Sequence, residues 1–187
     1  GLKYLIRAMQ SITKRVTDIK LLIVGDFSSA ESKRQYEDLI GQTGAKEHIT
    51  VYDGYIPDKE VEKFFAASDI VVLPYVSATQ SGIAQIAYGF EKPVVVTNVG
   101  GLPDVVTDQK TGYIVEPESA DAIADAVVDF FEQDKAAEFM ENVRKEAYRF
   151  SWERMTEIVE EMLAERNMEM RQSLDRQTDR QTDRQTD

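Results

Sequence analysis

Apolar residues fall at two spacings along this chain, and the two alternate. Leu2, Leu5, Ile6, Met9, Ile12 and Val16 recur every three or four positions, the period of a helix that buries one face. Residues 21–24 are instead a continuous apolar run ending at Gly25-Asp26, which predicts a strand buried on both faces. A helix over 31–43 follows, with Tyr36, Leu39 and Ile40 inward, then a strand over 49–52 and the loop Asp53-Gly54-Tyr55-Ile56-Pro57. Residues 58–67 read as a helix with Asp58 as N-cap and Val61, Phe64 and Phe65 inward. Next come a strand over 70–73 closed by Pro74, a polar turn over 77–82, a helix over 83–90 ending near Gly89, and a strand over 94–97 opened by Pro93. A short helix opened by Pro103, a small strand over 113–115 and helices over 119–131, 135–149 and 151–166 complete the pattern. Ser151 caps the last of these, and its stripe of Trp152, Met155, Val159 and Met162 reads as core, as does the pair Phe130-Phe131. Strand alternating with helix predicts an α/β fold, a doubly wound parallel sheet flanked by helices in the Rossmann-like manner.

The stretch from Asp69 to Gly101 carries the chemistry. Two buried strands flank a Ser-Ala-Thr-Gln-Ser-Gly turn that opens a helix, and Gly100-Gly101 follows the second strand. Parallel strands expose their carboxyl ends beside helix N-termini, where unspent backbone N–H groups attract anions. Ser81 and Gly82 are placed to offer such amides, and Gly100 and Gly101 allow close approach of a ligand or of the chain itself. The pattern points to a nucleotide or sugar-phosphate site. Ser77 and Gln80 also have capping-box spacing, so Gln80 reads equally as a helix cap. Gln85 sits among Ile83, Ile86 and Ala87, and the face it occupies decides whether it meets a ligand or solvent.

Composition narrows the partners. With 34 acidic against 22 basic residues the chain carries a net charge of −12, which argues against a nucleic-acid backbone. It has no cysteine, hence no disulfide framework and no thiolate zinc site, which points to a reducing, cytoplasmic setting. The apolar runs are strand-sized, and Gly1-Leu2-Lys3 begins in an apparent helix rather than a signal peptide, as in a cytoplasmic protein or a fragment of one. His48, the sole histidine, lies in a polar turn and reads as exposed and idle. No carboxylate or histidine cluster has metal spacing, so no metal and no cofactor are expected. Residues 166–187 form a polar tail in which Asp-Arg-Gln-Thr repeats from Asp175 onward; with no apolar residue to bury, those repeats predict a disordered or loosely helical extension to a single domain over residues 1–165.

Four pieces in order resemble the C-terminal, donor-binding domain of a family-4 retaining glycosyltransferase, one half of a GT-B architecture. They are Leu21-Leu22-Ile23-Val24-Gly25; Gly54-Tyr55-Ile56-Pro57 leading through Ala66-Ala67-Ser68-Asp69-Ile70 to Leu73-Pro74; the run from Lys92 to Val106 that contains Pro93 and Gly100-Gly101-Leu102-Pro103-Asp104; and Gly112-Tyr113-Ile114-Val115. The resemblance implies a nucleotide diphospho-sugar as donor, transfer of a hexosyl unit to a hydroxyl acceptor in glycan or polysaccharide synthesis, and no metal. It also implies an acceptor-binding N-terminal domain outside this chain, carrying any peripheral membrane association, and diphosphate-neutralising Arg and Lys before Gly1. Two family glutamates, one near the transferred sugar and one on the donor ribose, fall here near Ala78 to Gln80 and near Gln85 or Ile86. This chain has no Glu between Glu62 and Glu91, as in a branch of the family that reads Thr-Gln-Ser-Gly. The implied donor contacts are therefore Tyr55 and Ile56 at the base, Thr79, Gln80, Ser81 and Gly82 at the turn, Gln85 at the ribose, and Gly100 and Gly101. No catalytic residue is assigned, and the fragment alone is expected to be inactive. A nucleotide-sugar epimerase of GT-B fold and a non-catalytic α/β binding module stay open as alternatives.

Overall fold

The computed structural model describes the backbone of residues 1–183 and the side chains of residues 1–170 other than Phe150, Trp152 and Glu169. The chain divides into two units, Gly1–Glu146 and the segment from Ala147 onward. The first unit runs α1 (Leu2–Arg15), β1 (Leu21–Gly25), α2 (Ala30–Gln42), β2 (Ile49–Asp53), α3 (Asp58–Ala67), β3 (Val71–Leu73), α4 (Gly82–Gly89), β4 (Val94–Thr97), β5 (Gly112–Val115), α5 (Ala120–Glu132) and all but the last residue of α6 (Ala136–Ala147). Every strand pairing is parallel, as the alternation of periods predicted. The ladder falls into two pieces, β1 with β2 and β3-β4-β5, rather than one continuous sheet. Within each piece all carboxyl ends lie at one edge, and the loops there gather the residues singled out above.

The core explains the spacing. Leu5, Ala8, Met9 and Ile12 on one stripe of α1 are buried with Ile123, Val127 and Val128 of α5, and the cluster continues through Val95, Tyr113, Phe130 and Phe139. Val94, Val95 and Val96 are fully buried in the central strand of three, which is why β4 reads as an unbroken apolar run. Phe131 is half-buried beside that core, its ring edge-on to Phe130.

Several local readings are corrected. Asp58 is the first helical residue of α3, and Pro57 holds the cap; a carboxylate in the first turn suits the helix dipole without serving as cap. No helix follows Pro103. The 100–105 segment is a pair of turns, closed by Leu102 N–H to Val99 O and Val105 N–H to Leu102 O, that buries Leu102 and Val105. His48 is not idle: it is half-buried and its Nδ1 lies 2.8 Å from the Ile19 carbonyl, tying the start of β2 to the segment before β1.

In the second unit, a 3-10 turn over Tyr148–Phe150 leads to α7 (Trp152–Asp183). Ser151 caps it, its Oγ accepting the Arg154 amide at 3.1 Å. Met155, Val159 and Met162, read as core from the sequence, are about half exposed or more, because a lone helix offers nothing within its own unit to cover them. The backbone continues helical through Asp183, across most of the repeat; residues 184–187 lie outside the described residues.

One strained position yields a stability prediction. α4 ends in a Schellman turn, with Lys92 N–H on Ala87 O and Glu91 N–H on Tyr88 O, and this forces Glu91 into the left-handed region at φ 58°. Glu91 is kept there although glycine suits the turn better, and Arg144 grips its carboxylate with two hydrogen bonds of 3.0 and 2.8 Å. That guanidinium holds the Glu91 carboxyl below its ordinary pKa. A lowered folded-state pKa means the contribution is present above the ordinary carboxylate range and disappears as pH falls through the lowered value. Glu91→Gln should therefore lower the unfolding midpoint slightly at neutral pH, with the gap to wild type closing on acidification. Glu91→Gly should raise the midpoint by about 2 °C, since relief of the backbone outweighs loss of an exposed pair. Thermal unfolding of both variants across pH checks the two signs.

Candidate functional site

The carboxyl ends of β3 and β4 are joined by contacts that sequence spacing only hinted at. Gly100 adopts φ 53°, and a Cβ there would sit 1.8 Å from the Ala78 carbonyl oxygen. Gly101 donates its N–H to Thr79 O at 2.8 Å, and a Cβ on it would lie 2.9 Å from that oxygen. The double glycine thus lets two stretches of backbone touch. The Gly101 amide is spent inside the chain, whereas the Gly100 amide has no partner among the described residues. Gln80 Cγ and Asp104 Oδ2 both stand within 4 Å of where a Gly101 side chain would begin, so the bare face of Gly101 lies between an amide side chain and a carboxylate.

The N-terminus of α4 is the second component. Its cap is Ser81, and the capping box between Ser77 and Gln80 does not form. At α2 and α5 the cap serine closes its own first turn, Ser29 Oγ accepting from Ser32 N–H and Ser119 Oγ from Ala122 N–H. Ser81 does not; its Oγ lies 3.4 Å from the Tyr75 hydroxyl instead. The first-turn amides of α4 therefore keep their hydrogen-bonding capacity in a crevice at the strand ends. α1 also starts here: Gly1 is packed so closely on Pro74 that a Cβ would reach 1.5 Å from its carbonyl oxygen.

Gln85 lies on the exposed face of α4 with Ile83 and Ile86, each about two-fifths exposed, while Ala84, Ala87 and Tyr88 face the core. Gln85 is thus on the outer face of the helix and not part of the core. Tyr55 and Ile56 stand at the end of the other sheet, where Gly54 N–H donates to Gly25 O at 3.1 Å. Tyr55 is 79% exposed and packs on nothing that would explain it as core. The structure therefore brings Thr79, Gln80, Ser81, Gly82, Gly100 and Gly101 together, and leaves the Tyr55 loop beside the end of β1.

One feature escaped the sequence reading. A cavity of about 330 Å³ opens past the end of β1, lined among others by Leu2, Asp26, Phe27, Ser32 and Tyr36. The Phe27 and Tyr36 rings sit 5.7 Å apart at 34°. The available signal was an aromatic residue directly after Gly25-Asp26 at a strand end, with a second aromatic on the inward face of the next helix. Among the described residues no group of three or more His, Asp or Glu side chains is arranged to hold a metal ion, and no helix is long and apolar enough to cross a membrane.

Parallel strands alternating with helices, with a helix N-terminus and a glycine turn at their carboxyl edge, define an α/β domain of the Rossmann-like class. Residues 1–150 match the family of glycosyl transferases group 1, and the chain belongs to that family. It is 33% identical over 155 residues to an uncharacterized glycosyltransferase of Methanocaldococcus jannaschii, covering 82% of this chain and 38% of that one. A GDP-mannose-dependent alpha-(1-6)-phosphatidylinositol monomannoside mannosyltransferase of Mycolicibacterium smegmatis is 31% identical over 157 residues, 75% of this chain and 37% of the relative. The fold is that of the Anabaena HepE protein crystallised with UDP, with a TM-score of 0.76 at 20% identity, over 88% of this chain and 45% of HepE. The chain thus spans less than half the length of each of these proteins.

Proposed function

We propose that this chain is the donor half of a glycosyltransferase, holding a nucleotide diphospho-sugar along the carboxyl edge of its strands while a hexosyl unit passes to a hydroxyl acceptor. The observation that carries the reading is the uncapped first turn of α4, faced by the Gly100-Gly101 turn. The Ser81, Gly82 and Gly100 amides receive the diphosphate, and the helix dipole favours its charge. Gln85, about one turn further along α4, hydrogen-bonds the ribose through a neutral amide. Thr79 and Gln80 border the transferred sugar, with Gly101 giving the clearance. The nucleoside end lies toward Tyr55, Ile56 and the cavity beside Phe27 and Tyr36, whose size fits the lower range of small-molecule pockets. Chemistry of this kind rests on stabilising the leaving diphosphate as positive charge develops on the sugar. No metal is required for it. The acceptor and the cations that balance the diphosphate belong to the rest of a longer protein, consistent with the share of each relative that this chain covers. Absence of cysteine supports a cytoplasmic setting.

Gly82→Pro is a clean test. Gly82 is the first helical residue, where proline is tolerated, and Ser81 before it already has the extended backbone that a following proline demands, at φ −139° and ψ 113°. The variant should fold, lose one amide and bind UDP or GDP about tenfold more weakly. Gln85→Ala should cost about 1 kcal/mol of affinity, and Gln133→Ala, at the far end of α5, nothing. In an amide NMR titration with either diphosphate, the largest shifts should fall at Tyr55, Ser81, Gly82, Gln85 and Gly100. Were those amides to stay still while another surface responded, the crevice would be no more than a turn.

A further inference from the structure

Three residues of β4 are valine, the fourth is Thr97, and all four are buried. A hydroxyl in such a place is costly unless it is bonded. It is bonded outside its own strand: Thr97 Oγ1 donates to the Tyr75 carbonyl at 2.6 Å. The β3–β4 ladder ends where Leu73 pairs with Val96, and Pro74 has no amide with which to extend it. Thr97 therefore carries the tie between the two strands past the last ladder pair and into the loop that leads to α4. Tyr75 passes it on, since its own hydroxyl lies 3.4 Å from Ser81 Oγ at the cap of that helix. Gly101 N–H holds the same loop at Thr79. Among the described residues, Thr97 supplies the sole side-chain hydrogen bond to the backbone of the 74–81 loop.

We infer that Thr97 is a positioning residue for nucleotide-sugar binding: through the Tyr75 carbonyl it fixes where the Ser81 and Gly82 amides stand. The inference rests on the reading of those amides as diphosphate donors. Thr97 itself is fully buried, so it acts on a ligand only through the loop it holds. Its effect is preorganisation, in which the loop is ordered before the ligand arrives rather than at the ligand's expense.

Three variants of the 187-residue chain separate this from a structural role. Thr97→Val keeps the shape and removes the hydroxyl; Thr97→Ser keeps the hydroxyl and removes a methyl group. Thr111→Val is the stability control, because Thr111 Oγ1 accepts the Tyr88 hydroxyl at 2.5 Å and the Thr107 amide at 2.9 Å just before β5, at the opposite edge of the sheet. Affinity for UDP and for GDP would be measured by calorimetry, and unfolding midpoints recorded for all three. Thr97→Val should weaken binding about tenfold, Thr97→Ser should stay within about twofold of wild type, and Thr111→Val should lose stability while binding as wild type does. The inference is overturned if Thr97→Val binds normally, if Thr97→Ser is weakened as much as Thr97→Val, or if Thr111→Val loses as much affinity. Failure of the wild-type chain to bind either diphosphate, or binding at another surface, would instead remove the donor-site reading and this inference with it.

Discussion

Alanine at Gly100 should cost the first unit about 3 kcal/mol, lowering its unfolding midpoint by roughly 6–12 °C. Two separate penalties add. The first is conformational, since φ 53° places the residue in the left-handed region, which costs an L side chain roughly 1–2 kcal/mol. The second is steric, because the new Cβ would meet the Ala78 carbonyl oxygen at 1.8 Å, and backbone cannot swing aside as a side-chain tip can. Gly44 provides the control. It too is left-handed, at φ 70°, but a Cβ there meets nothing within 4 Å, so Gly44→Ala should carry the conformational penalty alone. Thermal or denaturant unfolding of the pair isolates the contact between residues 100 and 78. If the two alanines prove equally costly, the loops do not touch as described, and the crevice loses one wall. If the contact is real, Gly100→Ala should also push the 78–81 loop away from its position and weaken diphosphate binding even where the protein remains folded.

That contact shows where sequence reading stops. The helices and strands were legible because burial imposes a period: α1 and α5 each need one apolar stripe, and β4 is buried on both faces. The glycine pair was legible as a place of close approach, but its partner was not, since nothing in the spacing says that Ala78 and Thr79 lie opposite. The turn before α4 reads two ways from the sequence for a related reason. Ser77 and Gln80 satisfy the spacing of a capping box, yet local spacing cannot register that Gly101 claims the Thr79 carbonyl and so starts the helix at Gly82. The Pro103 segment has helix-like apolar spacing at Leu102, Val105 and Val106, and two successive turns bury those residues equally well. His48 was passed over because its acceptor, Ile19 O, is a backbone atom almost thirty residues away, and carbonyls leave no signature in a sequence. The cavity beside Phe27 and Tyr36 joins a strand end to a helix face, a juxtaposition that only the packing of α2 creates.

Removing the Phe139 ring, by contrast, should destabilise the fold while sparing the site. Phe139 is fully buried on α6, with ring contacts to Tyr113 at 5.3 Å and Phe130 at 6.0 Å, so it joins three elements in one cluster. Truncation to alanine leaves a cavity that neighbouring rings cannot readily fill, a change that costs roughly 3–5 kcal/mol. Domains of this size are stable by only about 5–15 kcal/mol, so the variant should still fold at low temperature but melt some 10 °C early. Its position decides the functional outcome. Tyr113 belongs to the first half of β5, paired with Val95, whereas the crevice lies beyond Leu73 and Thr97 at the other edge of the same sheet. Well below its melting point, Phe139→Ala should therefore bind UDP or GDP as wild type does, even though it loses at least as much stability as Gly100→Ala. Titrating both variants at one temperature where circular dichroism shows each to be folded makes the comparison direct. Equal loss of affinity in the two would mean that binding follows global stability, and the strand-edge crevice would no longer account for it.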